Sequence, residues 1–135
     1  MALAGAATTV QPSVNGRLAQ KVGSLESAFV SFAVGTLALL VLVLLRNQGN
    51  LRALSQAVWW EWTGGLLGAF YVTALIVCIP RLGTTVGFAA AIAAQLVTGL
   101  LLDATGFFGF GAQAVTPSRL VGVALLFLGA WLVRG

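Results

Sequence analysis

Apolar residues in this chain come in long runs, broken by single charges and turn-forming residues. Four runs are long enough to cross about 30 Å of hydrocarbon at about 1.5 Å per helical residue. They are Ser27–Leu45; Trp62–Ile79, closed by Pro80 and Arg81; Thr84–Leu102, stopped by Asp103; and Ser118–Val133, entered through Thr116-Pro117 and ended by Arg134-Gly135. Pro117 stands before the first turn, where a missing N–H costs nothing. The connections are short except Arg46–Glu61 and Asp103–Pro117. WWEW at Trp59–Trp62 reads as an interfacial aromatic belt, and FFGFG at Phe107–Gly111 as an interfacial turn.

The segment before these runs differs. TTVQPSVNGR, Thr8 to Arg17, is the most polar uncharged stretch of the chain. Residues 2–16 would give a helix of about 22 to 24 Å, short for a span and containing Pro12. Two readings compete: a short, kinked span shielded from lipid, or a surface tail. The apolar weight of Met1–Ala7 and Val10 favours the span. The pattern therefore predicts an all-α integral membrane protein, one transmembrane domain over 1–135. Its five helices lie near 2–16, 27–45, 62–79, 84–102 and 118–133.

Composition agrees. Of 135 residues, 59% are hydrophobic and 7% charged, against about 25% charged in an ordinary soluble domain. A soluble chain this small exposes too much of its surface to hide that apolar content, so lipid is the expected solvent. The net charge of +4 is carried by basic residues standing singly. They read as interface anchors rather than a nucleic-acid patch, and no nucleic-acid partner is expected. There is no His and one Cys, so no metal or other cofactor is expected. Cys78, inside an apolar run, is expected to be a buried structural thiol. The N-terminus lacks the pattern of a cleaved signal peptide.

With five spans, Arg46, Arg52, Arg119 and the α-amino group fall on one side, and Arg17, Lys21, Arg81 and Arg134 on the other. Four against four gives the positive-inside rule nothing to act on. Such a chain is expected to insert both ways, so that two copies form an antiparallel homodimer, the two-chain form of a transporter's inverted repeats. The alternative is that lipid or a partner fixes one orientation.

Membrane helices meet through small residues. Candidate packing positions are Ser27, Ser31 and Gly35; Gly64, Gly65 and Gly68; Gly87, Ala91 and Gly99; and Gly122 and Gly129. Gln95 interrupts the third of these stripes near mid-membrane. A buried amide needs partners, so it faces either another helix or a cavity, and polar residues at that depth are functional candidates. Tyr71, the single tyrosine, sits too deep for an interfacial belt and is expected to turn its hydroxyl inward. On a helix Thr8, Gln11 and Asn15 share a face, and Pro12 frees the carbonyl of Thr8. That face is either one wall of a binding site or interhelical glue. Gln11, Asn15, Tyr71 and Gln95 are thus the candidate substrate-binding residues.

The three acids, Glu26, Glu61 and Asp103, lie at span ends. Without a mid-membrane carboxylate, a proton-coupled cation site is disfavoured. A neutral, zwitterionic or anionic solute is expected instead. Glu61 either dips inward or pairs with Arg46 or Arg52. No nucleophile–base pair, metal cluster or phosphate loop is visible, so an enzyme is not expected.

Gln11 and Asn15 as Q-x-x-x-N, then VGSLESAFVSFAVGTLAL (Val22–Leu39), WTGGLLGAFYV (Trp62–Val72), IPRLGTTVGF (Ile79–Phe88), AQLVTGLLLD (Ala94–Asp103), TGFFG (Thr105–Gly109) and SRLVGVALLFLG (Ser118–Gly129) follow one another in order. Together they resemble the YdcZ family of small inner-membrane exporters in the drug/metabolite transporter superfamily. The resemblance implies about five spans, a bacterial inner membrane and an antiparallel pair. The chain departs from the family's pattern in two respects: fewer apolar residues precede Ala4-Gly5, so the first span is short, and around the fourth span Ala94 stands where glycine is commoner while Ala104-Thr105 replaces a bulkier, often His-containing pair. The expected function is alternating-access transport, as an exporter, of a small polar or amphiphilic organic solute. A passive dual-topology channel and a structural or accessory membrane protein are the alternatives.

Overall fold

The structure is a computed structural model that describes residues 1–46, 48–106 and 112–133. Among them there are helices and no strands. Five α-helices follow in order: α1 (Ala2–Val22), α2 (Ser24–Arg46), α3 (Thr63–Leu82), α4 (Thr84–Thr105) and α5 (Pro117–Val133). Two short 3-10 turns, Leu51–Gln56 and Trp59–Trp62, occupy the connection before α3. In hydrocarbon every backbone N–H and C=O must be satisfied within the chain, and helices do this segment by segment. Three stretches, Ser24–Arg46, Trp59–Leu82 and Thr84–Thr105, are long and apolar enough to cross a membrane, while α5 is a shorter apolar helix.

Helices α2 to α5 begin and end within about three residues of the four long apolar runs. Helix α1 departs further, running six residues beyond Gly16 to Val22. Gly16 does not stop it because it is a buried packing position, where an added Cβ would lie 3.9 Å from Pro80. The stop comes at Gly23, with φ 101° and ψ 158°. Gly83, between α3 and α4, has nearly the same conformation, φ 83° and ψ 153°. That region is open essentially to glycine alone. The carboxylate of Glu26 fills the place where a Cβ on Gly23 would stand.

Residues 1–81 and 82–135 form two compact units. In the first, α1 packs along α2, and α3 joins them. Val72, Leu75, Ile76 and Ile79 form the buried stripe of α3 at helical spacing. Ala28 of α2 packs with Val72 and Ile76, and Ala19 of α1 and Tyr71 close the cluster. An added Cβ on Gly68 would touch the Phe32 ring at 3.5 Å. Cys78 lies off that stripe and is exposed, correcting the expectation of a buried thiol. In the second unit, α4 packs along α5.

Large apolar side chains are mostly on the outside. Every residue of α2 from Leu37 to Leu45 is exposed. In water such a surface would drive aggregation; against acyl chains it costs nothing.

Candidate functional site

Two polar features stand out among the described residues, one in each unit. The first is a seam between α1 and α2. Asn15, 6% exposed, donates its side-chain amide to Ser31 Oγ at 3.1 Å. The Ser27 hydroxyl, wholly buried, donates to the Asn15 carbonyl at 2.7 Å. Gln11, one turn back and exposed, also donates to Ser31 Oγ, at 3.3 Å. Three α1–α2 hydrogen bonds thus fix the register of two helices whose apolar surfaces alone would have little reason to associate in lipid. Pro12 is buried between these polar positions.

The second feature is a groove of about 340 Å³ between α4 and α5. Gln95, the twelfth of the 22 residues of α4, lines it midway along the helix, exposed. Gly99 and Asp103 follow at four-residue spacing on the same face. Gly122, Val123 and Leu126 of α5 form the opposite wall. An added Cβ at Gly99 or Gly122 would meet nothing within 4 Å, so the two glycines keep the groove open.

Charges close one end of the groove. Arg119 Nη1 donates to Asp103 Oδ2 at 3.2 Å, and Arg119 Nη2 donates to Gln113 Oε1 at 2.7 Å. The Gln113 backbone N–H donates to the Asp103 carbonyl at 2.8 Å, anchoring the connection to the end of α4. Each charge sits where its helix dipole disfavours it, the acid in the last turn of α4 and the base in the first turn of α5, at about 0.3–1 kcal/mol apiece. They offset this by facing one another. Both stay partly open, Arg119 at 39% and Asp103 at 48% side-chain exposure.

The expected contact residues are divided between the units. Gln11 and Asn15 meet at Ser31; Tyr71, in the same unit, packs half-buried on the Ala28–Val72–Ile76 cluster, and its hydroxyl has no hydrogen-bond partner among the described residues. Gln95 belongs to the second unit, with the groove. Of the packing positions, Ser31 lies in the seam, Gly68 against Phe32, and Gly99 and Gly122 in the groove, while Gly35, Gly64, Gly65 and Gly129 have open space where a Cβ would stand. Glu61 neither dips inward nor pairs with Arg46 or Arg52 among the described residues; its carboxylate accepts from the Val58 N–H at 2.9 Å. Phe107–Gly111 and Arg134 lie outside the described residues. The Asp103–Arg119–Gln113 cluster escaped the reading of the sequence, although two charges of the dipole-disfavoured sign were a signal for it. No group of three His, Cys, Asp or Glu side chains fit to hold a metal occurs among the described residues.

A family model described as "Putative inner membrane exporter, YdcZ" matches residues 1–132. The Escherichia coli (strain K12) protein named Inner membrane protein YdcZ is 32% identical over 133 residues, covering 96% of this chain and 89% of that protein. No solved structure matches the chain. Its long apolar helices, its lipid-compatible surface and a family match over nearly its whole length lead to one conclusion: the chain belongs to the YdcZ family of multi-pass inner-membrane proteins.

Proposed function

We propose that this protein exports a small polar or amphiphilic organic solute by alternating access, as an antiparallel pair of identical copies, and that the solute binds in the α4–α5 groove. The observation that carries this reading is Gln95. An amide exposed halfway along an apolar helix costs several kcal/mol against hydrocarbon, by order of magnitude. It is tolerated where water, a solute or a second copy meets it. The family description as an exporter supports the role.

In this reading α1 is the fifth span, and Arg17 and Lys21, in its last two turns, reach the interface. Gln11 and Asn15 bond Ser31 of α2, and the Thr8 and Thr9 hydroxyls bond the Gly5 carbonyl, which lowers the cost of insertion. The open surfaces over Gly64, Gly65 and Gly129 suit close approach of helices from a second copy. The balanced flanking charges suit insertion in both directions.

Proteoliposome flux of a panel of small polar solutes tests the proposal. Gln95→Leu is expected to abolish flux and counter-flow while leaving the protein folded; full flux by that variant removes the site. A passive channel would show no counter-flow. Single cysteines at Gly49 and Ala112, in a Cys78→Ala background, should each label from both sides of the membrane. Labelling from one side only rules out dual insertion.

A further inference from the structure

We propose that the α4–α5 groove recognises a zwitterionic, amino-acid-like solute. Its carboxylate lies on Arg119, its ammonium on Asp103, and a hydrogen-bonding group at its far end on Gln95. This deepens the transporter reading and rests on it for the purpose of the site, but the binding chemistry comes from the side chains.

Among the described residues, the ion pair at the groove's end is incompletely used. A guanidinium has five N–H donors, of which Arg119 uses one on Asp103 and one on Gln113. Asp103 Oδ1 has no partner among the described residues. Both side chains are partly open and both line the groove. An anion here would meet Arg119 but also the like charge of Asp103; a cation would meet the reverse. A zwitterion laid across the pair gives each charge an opposite partner and leaves the site neutral.

The groove also sets the rest of the ligand. Asp103 and Gln95 are eight residues apart on one helix face, about 12 Å along the axis. Leu100 and Val123 line the space between them, with the two glycines giving width. A matching solute has a charged head, an apolar body and a distal hydroxyl or amide. The volume is at the small end of ligand sites, which run about 300–1,000 Å³. A phospholipid offers a similar head, but its acyl chain along the groove would leave the Gln95 amide unpaired.

The test is equilibrium binding to the purified full-length protein in nanodiscs, using four probes of one shape. Tyrosine carries both charges and a distal hydroxyl; tyramine lacks the carboxylate; 3-(4-hydroxyphenyl)propionate lacks the ammonium; phenylalanine lacks the hydroxyl. Tyrosine is expected to bind at least about tenfold more tightly than tyramine or the propionate, and several-fold more tightly than phenylalanine. Asp103→Asn should erase the preference for tyrosine over the propionate, and Arg119→Gln its preference over tyramine. Should either variant fail to fold, the four-probe series on the native protein decides alone. No binding of tyrosine, equal binding of the three hydroxylated probes, or occupancy of the groove by phospholipid that tyrosine does not displace overturns the proposal. Because binding is read without a gradient, selective binding without flux refutes only the transporter reading. Flux of a different solute without tyrosine selectivity refutes only this one.

Discussion

Gly23 and Gly83 hold the chain in a backbone region that side-chain-bearing residues avoid. Replacing either by alanine is expected to cost about 1–3 kcal/mol from backbone strain alone. The surroundings then separate the two. An added Cβ at Gly83 meets nothing within 4 Å, so Gly83→Ala shows the strain cost alone. At Gly23 the Cβ would stand on the Glu26 carboxylate, the far end of a flexible side chain that can swing aside. Gly23→Ala should therefore lose slightly more, and adding Glu26→Ala should recover the excess but not the strain. Gly35 is the control: it is helical, with open space where the Cβ would go. There alanine should be neutral or stabilising by up to about 1 kcal/mol, from helix propensity. Unfolding in mixed micelles by increasing detergent, followed by circular dichroism, ranks the four variants. Wild-type stability for both Gly23→Ala and Gly83→Ala would refute the assigned turns, and a large loss at Gly35→Ala would refute the open face of α2.

The same assay tests the seam. Ser27→Ala removes the hydroxyl that bonds the Asn15 carbonyl and should cost about 0.6 kcal/mol, and no more than about 1.7, the range found for hydrogen bonds between membrane helices. Asn15→Leu should cost more than Gln11→Ala, because Asn15 is buried and Gln11 exposed; the reverse order would contradict the packing of α1 on α2. Asp103→Asn should change stability by less than about 1 kcal/mol, since the pair is partly open; a loss of 3 kcal/mol or more would contradict an open groove.

Much of the architecture can be read from residue order because membrane helices end at conspicuous places. Pro80-Arg81, Asp103, Thr116-Pro117 and Arg46 mark ends that fall within a few residues of the observed ones. Helix α1 is harder, since Arg17 and Lys21 look like an interface and Gly16 looks like a stop. Only tertiary contact shows that Gly16 is a packing position beside Pro80. The Ser27–Ser31 stripe announces a packing face, but periodicity does not say what it meets. Gln11 and Asn15 read equally well as glue or as the wall of a site until Ser27 and Ser31 are found on them. The groove was half legible. Gln95 stands out as an amide among small residues, whereas Asp103 and Arg119 lie 16 residues apart across a connection whose path no local pattern specifies.

Transport through the α4–α5 groove requires water and solute to reach it beside Gln95. In a Cys78→Ala background, the reaction of Gly99→Cys with a membrane-impermeant, charged thiol reagent measures this directly, with Leu37→Cys on the exposed apolar face of α2 as reference. Gly99→Cys is expected to react much faster than Leu37→Cys, from both sides of the membrane, and its modification is expected to stop solute flux. Reaction no faster than at Leu37→Cys, or full flux after complete modification, would contradict transport through the groove.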